Sequence, residues 1–182
     1  MTEPLGVGVI VPYDFALDDE LWRWAPPGVR LYVTRTPHEK YDVGLAQARA
    51  IGTPEALALA AASIATPGPL VAAYMCTSGS FVQGRDGEQR LVEAMGTSGI
   101  PAAVTTSGAL IEALLHLGAM RIGVATPYDD ETGGLLAFYL RAAGLTPAAV
   151  VNLGLTERIW TLTPDEICDL VRRAAQQPCD AV

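Results

Sequence analysis

The chain has 182 residues, half of them hydrophobic, and its 20 acidic against 12 basic side chains give a net charge of −8. That length and apolar content can bury a full core in one or two domains, while the single lysine, Lys40, leaves no basic stripe to displace counterions from a phosphate backbone, which excludes nucleic acid as a partner. No apolar run approaches the ~18 residues of a membrane span and Met1–Leu5 carries no basic leader, so the expectation is a soluble, cytoplasmic protein with no membrane contact.

Short β-type runs alternate with helical patterns along the chain. The first, LGVGVIV at Leu5–Val11, runs into Pro12, Tyr13 and Asp14. LWRWAPPG follows, read as an amphipathic helix whose Trp22 and Trp24 pack on the core in preference to a subunit partner, with a homo-oligomer left open. VRLYVTR at Val29–Arg35 is the second strand. TPEALALAAASIA from Thr53 starts a helix with a cap residue and a proline in the first turn. PLVAAYM at Pro69–Met75 then ends at Cys76, where a turn of hydroxyl and glycine residues is expected.

The series continues with a strand at Pro101–Thr106, a helix over Ser107–Leu117 closed by Gly118, and a strand at Arg121–Thr126. Next come a helix from Asp130 to Ala143 closed by Gly144 and a strand at Pro147–Leu153. TPDEICDLVRRAAQQ from Thr163 is the last helix, with Glu166 completing a capping box. The alternation predicts an α/β fold built on parallel sheets.

GVIVPYD (Gly8–Asp14) and GVATPYD (Gly123–Asp129) match, each reading as a buried strand followed by Pro-Tyr-Asp. The repeat predicts two similar halves, residues 1–118 and 119–182, with both loops at the C-terminal ends of strands, where open α/β sheets place ligands. If the closing DAV is the counterpart of PLV, the residue matching Cys76 falls roughly five to nine positions past Val182. A fragment with an incomplete second half is expected.

Cys76 is the residue with the most chemistry to offer. Thr77, Ser78, Gly79 and Ser80 supply hydroxyls and N–H groups that could hold its thiolate; plain packing of a small, soft side chain is the competing reading. The three cysteines are read as reduced. Cys168 is expected to pack within DEICDLV, and Cys179 precedes its strand on the end away from the ligand. His38 and His116 stand alone, which supports no metal site, and no glycine-rich fingerprint follows the first strand, which argues against a dinucleotide cofactor.

VPYD, YMCTSGSF, TTSGA (Thr105–Ala109) and ATPYDD (Ala125–Asp130) together resemble the maleate cis-trans isomerase and arylmalonate decarboxylase branch of the aspartate/glutamate racemase superfamily. The resemblance covers nearly the whole chain. It implies two flavodoxin-like (Rossmann-like) halves with pseudo-twofold symmetry, an active site between them, a small carboxylic acid as substrate and no metal or organic cofactor. By the same resemblance Cys76 is the first-half cysteine, the nucleophile on the alkene in maleate isomerases, whereas arylmalonate decarboxylases put glycine there. Thr77 and Ser78 look like the carboxylate-binding turn and Tyr128 like the tyrosine that holds the same group. Pro12, Tyr13, Asp14, Thr106 and Ser107 complete the expected substrate-binding set.

Maleate isomerases resemble VPSSN at the first strand end, with an asparagine against the substrate, and this chain has Tyr13, Asp14 and Phe15 there. That departure points to a different or larger substrate, one with an amino group for Asp14 to pair with, unless Asp14 only caps its own loop. The expected function is a cofactor-independent cis-trans isomerase of a small unsaturated dicarboxylic acid. The alternatives are an amino-acid or hydantoin-type racemase, a decarboxylase of the same superfamily, a carboxylate-binding module without chemistry and, ranked last, a nucleotide binder.

Overall fold

The small and β-branched residues of Leu5–Val11 (β1) form a strand whose burial deepens toward its C-terminal end, where Val9, Ile10 and Val11 are almost fully covered. The computed structural model describes residues 3–42 and 44–182. α1 (Asp18–Trp24) follows β1 and leads to β2 (Val29–Arg35), which lies parallel to β1. α2 (Leu45–Ile51) and α3 (Pro54–Ser63) precede β3 (Val71–Tyr74), which pairs with the other edge of β1. After α4 (Thr77–Phe81) and α5 (Gly84–Gly96) comes β4 (Ala103–Thr105) beside β3, so the four-stranded parallel sheet has the order β2-β1-β3-β4.

α6 (Thr106–His116) crosses to β5 (Arg121–Thr126). α7 (Asp130–Ala142) then returns the chain to β6 (Thr146–Asn152), parallel to β5. α8 (Pro164–Ala174) brings Ala181 to form a parallel bridge with Ile122 of β5. β5 thus has β6 on one edge and Ala181 on the other, the same order of neighbours that β1 has with β2 and β3. The parallel α/β fold is as the sequence predicts.

Local signals explain the helix ends. The Thr53 hydroxyl accepts the Ala56 N–H at 3.2 Å above Pro54, and Thr163 and Glu166 make both bonds of a capping box. Gly118 and Gly144 take the positive φ expected of glycines that close α6 and α7.

Two apolar clusters position the site. In one, Leu57 and Ala61 of α3 and Leu91 and Met95 of α5 cover Ile10 and Tyr74. In the other, Phe81 of α4 and Ile111 and Leu114 of α6 join Ile122 and Val124 of β5 and Leu136 and Tyr139 of α7. α4 is therefore wedged where the two sheets meet. Polar contacts cross the same boundary: Arg85 donates to the Tyr139 hydroxyl at 2.8 Å and to Glu88 at 3.0 Å, and the buried Glu88 also accepts from Thr105 at 2.9 Å.

Several expectations need correction. The segment after Cys76 is helical rather than a turn, because Cys76 itself serves as N-cap and α5 follows closely. Trp22 and Trp24 are 58% and 75% exposed, and Leu21 is the buried residue of α1, whose first turn is held to β2 by an Asp18–Arg35 ion pair of 2.7 Å. Cys168 is exposed as well. α8 buries Leu170 and Ala174, and a residue two positions from Leu170 points to the opposite side of the helix. Among the described residues no helix is long and apolar enough to cross a membrane.

Candidate active site

Three strand ends converge on one cavity of about 270 Å³. Pro12 and Asp14 come from the loop after β1, Met75, Cys76, Thr77 and Ser78 from the β3–α4 junction, and Tyr128, Asp129 and Thr132 from the β5–α7 junction. The cavity thus lies at the C-terminal edge of the parallel strands, where open α/β sheets place ligands.

Each loop is fixed by backbone bonds that the local sequence dictates. In the first, the Thr36 hydroxyl accepts the Tyr13 N–H at 3.1 Å, and the Arg35 guanidinium donates to the Pro12 and Phe15 carbonyls at 3.2 and 2.9 Å. At the second junction Asp129 caps α7 by accepting the Thr132 N–H at 2.7 Å, while the Pro127 and Tyr128 carbonyls accept the N–H groups of Leu155 and Gly154, each at 2.9 Å. Asn152 completes the support, accepting from Thr126 at 2.8 Å and donating to Asp130 at 3.0 Å.

Cys76 stands at the centre, buried, with its sulfur accepting the Gly79 N–H at 3.4 Å and the Ser78 hydroxyl 3.8 Å away. Burial pushes the thiol up from its ordinary pKa and the Asp14 carboxylate adds to the rise. The Gly79 N–H, then the Tyr74 and Ser78 hydroxyls, pull it down. Burial wins. Donors that would hold the anion are present, as the sequence suggests, but desolvation outweighs them. Tyr128 is pushed up too, by burial first and then by Cys76, while the Ser78 and Thr77 hydroxyls oppose the rise.

The other expected residues divide. Pro12, Asp14, Cys76, Thr77, Ser78 and Tyr128 share the cavity wall. Tyr13 turns outward, donating to the Tyr41 carbonyl at 2.7 Å with its ring 5.0 Å from His38, and lines an adjoining outer cavity of about 500 Å³ that shares Asp14 and Trp160 with the first. Thr106 and Ser107 do not line the cavity. The Thr106 hydroxyl donates to the Tyr74 carbonyl at 3.0 Å, and the buried Ser107 hydroxyl lies 3.1 Å from the Thr77 carbonyl and 2.7 Å from the Ser80 hydroxyl. They brace the backbone that presents Cys76 and Thr77.

Asp14 makes no side-chain hydrogen bond or ion pair among the described residues, so the loop-capping alternative finds no support. Its counterpart Asp129 does cap. Phe15, part of the departure noted after β1, lines the cavity, as do residues the sequence did not flag: Leu17 after β1, Gln47 and Ile51 of α2, and Leu155, Ile159 and Trp160 beyond β6. The only signal for the last three is their place after a strand end, since LGLTERIWTL carries no motif. Among the described residues no group of three His, Cys, Asp or Glu side chains could hold a metal ion.

The sequence model of the family described as arylmalonate decarboxylase matches residues 50–182. The chain is 34% identical over 107 residues to the arylmalonate decarboxylase of Bordetella bronchiseptica, covering 56% of this chain and 44% of that protein. It spans less than half the length of the curated relatives it matches. Among solved structures, a liganded double mutant of arylmalonate decarboxylase aligns with a TM-score of 0.84 at 27% identity, over 95% of this chain and 73% of the other. A mutant of the Nocardia farcinica maleate cis-trans isomerase with a covalently bound succinylcysteine intermediate aligns with a TM-score of 0.70 at 25% identity, over 94% and 72%. The family match covers most of the chain, which therefore belongs to the arylmalonate decarboxylase family, in the branch of the aspartate/glutamate racemase superfamily that also holds the maleate isomerases.

Proposed function

We propose that the protein is a cofactor-independent cis-trans isomerase of a small unsaturated dicarboxylic acid, with Cys76 as the nucleophile. The observation that supports this reading is the place of Cys76 on the cavity wall with Thr77, Ser78 and Tyr128, its sulfur accepting the Gly79 N–H. Three neutral hydroxyls suit a carboxylate in a protein of net charge −8 with no lysine at the cavity.

In this reading the thiolate adds to one alkene carbon and the π pair moves to the other, where the adjoining carboxylate takes it up as an enediolate. The hydroxyls hold that added charge. The former double bond is now single, so it rotates; the pair then returns, the carbon–sulfur bond breaks and the trans acid leaves with the thiolate regenerated. A cysteine adduct of this kind is what the Nocardia farcinica isomerase structure carries. Cys76 also stands where, by the resemblance, the decarboxylases have glycine, which weighs against decarboxylation.

The unpaired Asp14 favours a second reading. A carboxylate on the wall of a cavity that no cationic side chain lines among the described residues suits an ammonium group and so a racemase of amino acids, in which Cys76 moves the α-proton. Turnover of maleate, aspartate, glutamate, a hydantoin and an arylmalonate by the full-length protein and its Cys76→Ala variant tests both. The expected result is conversion of maleate to fumarate that vanishes in the variant. Racemisation lost in the variant would move the assignment to the second reading, and turnover unchanged in the variant would reject the thiol altogether.

A further inference from the structure

Tyr74 does not line the cavity, and the reaction above gives it no part. With Tyr139 it is one of the two fully covered tyrosines among the described residues, and its hydroxyl donates to the Ile51 carbonyl at 3.3 Å. That is long for a bond from a hydroxyl, whose usual length is about 2.7–2.8 Å. A phenylalanine would fill the same apolar space without a polar atom to satisfy, so the hydroxyl needs an explanation.

Gly79 supplies it. A methyl group on its Cα would lie 2.2 Å from the Tyr74 hydroxyl oxygen and 3.1 Å from the Cys76 sulfur, so the two atoms occupy the space that any side chain at residue 79 would take. The absence of a Cβ leaves room for the phenol oxygen and the thiol on the same side of the Gly79 Cα. Other groups acting on the sulfur are the Ser78 hydroxyl and Gly79 N–H from α4, Tyr128 from the β5–α7 junction and Asp14 from the β1 loop, and Asp129 lines the same cavity. Asp129 is committed to its capping bond, and Asp14 is a carboxylate that opposes a thiolate.

We infer that Tyr74 is a positioning residue for Cys76, whose hydroxyl turns from the Ile51 carbonyl to the sulfur as the thiol ionises and holds the thiolate from behind. The inference rests on Cys76 being the reacting group. The thiol proton leaves through the cavity to water, and the phenol keeps its own: burial and the neighbouring Cys76 both push the Tyr74 pKa well above the ordinary range. The sulfur then receives two interior donors, the Gly79 N–H and the Tyr74 hydroxyl, neither of which the substrate must displace. A hydrogen bond to an ionised partner is worth enough to shift an ionisation constant about tenfold or more.

The test is the pH dependence of Cys76 alkylation by iodoacetamide, read by peptide mass spectrometry in a full-length Cys168→Ser, Cys179→Ser background. Tyr74→Phe is expected to move the inflection to higher pH and slow alkylation about tenfold at a fixed pH below it. In turnover it is expected to lower kcat with KM unchanged. An inflection that stays in place in a folded Tyr74→Phe protein overturns the inference. Should Tyr74→Phe not fold, 3,5-difluorotyrosine at position 74, a stronger donor of nearly the same shape, is expected to move the inflection to lower pH, and no movement overturns the inference. A shifted inflection in a protein that turns over none of the substrates would keep the role of Tyr74 and remove the proposed reaction.

Discussion

The Tyr128 ring lies tilted against Phe81 with centroids 6.0 Å apart, so the short helix α4 carries the thiol at its N-cap and, at its last residue, the ring that seats the tyrosine from the other sheet. Phe81 touches Tyr139 as well, at 6.4 Å. One helix thereby sets the spacing between the two sides of the cavity.

Two substitutions separate seating from chemistry. Tyr128→Phe keeps the ring contact and removes the hydroxyl, and it is expected to lower kcat about 10²–10³-fold, the usual cost of one donor to a developing oxyanion, with an unchanged melting temperature. Phe81→Ala removes a fully covered ring and is expected to cost about 3–5 kcal/mol in denaturant unfolding. Tyr128→Phe with undiminished kcat would remove the hydroxyl from the mechanism.

The acidity of Cys76 gives a direction in pH. Burial holds the thiol above its ordinary pKa, so turnover and alkylation are both expected to climb as pH passes upward through an inflection above the ordinary thiol range. Stability runs the other way. A group whose pKa is raised by folding contributes stability in full below its unfolded value and loses it as pH rises through the folded one. Cys76→Ala is therefore expected to flatten the alkaline decline in melting temperature; an equal decline in both proteins would place its cause elsewhere.

Asp14→Asn distinguishes the two substrate classes. The carboxylate disfavours the neighbouring thiolate, so its removal is expected to lower the Cys76 pKa and speed alkylation at any pH below the inflection. For a dicarboxylate the variant is expected to lower KM through relief of like-charge repulsion. For an amino acid it is expected to raise KM about tenfold or more, the cost of a lost charge-assisted bond. No change in either parameter with both substrate types would show that Asp14 faces no part of the substrate.

The buried Glu88 joins α5 to β4 through Thr105 and, through Arg85, to Tyr139 of α7. Glu88→Ala leaves the Thr105 hydroxyl without this acceptor, while the partly exposed Arg85 can turn to water. The expected loss is about 2 kcal/mol in urea unfolding, near the middle of the range for a hydrogen bond to a charged group. A loss below about 0.5 kcal/mol would mean that α5 is held by its apolar face alone.

The strands and most of the capped helices could be read from the chain, because apolar alternation, Thr53-Pro54, Thr163 with Glu166, and the closing glycines Gly118 and Gly144 are local signals with local causes. α5 was not, since GRDGEQRLVEAMG opens and closes on glycine and has no cap signal; its Leu91 and Met95 find their place only by packing on α3 and the sheet. The repeated Pro-Tyr-Asp marked both loops of the site, yet it could not show that Tyr128 would face inward and Tyr13 outward toward Tyr41 and His38. That choice depends on Phe81, on a helix far along the chain. The direction of the Cys76 pKa was not legible for a related reason: its donors are adjacent in sequence, but the core cluster it belongs to draws on Ile51 of α2, Leu57 of α3 and Leu91 of α5.

The most direct measurement of the role given to Cys76 is acid quenching of the full-length protein during turnover of maleate, followed by mass spectrometry of the peptide containing Cys76. The account predicts that this peptide gains the mass of one substrate, that the gain is absent from Cys76→Ala, and that fumarate formation disappears with it. Fumarate formed at the wild-type rate by Cys76→Ala, with no adduct on the wild-type peptide, would contradict it.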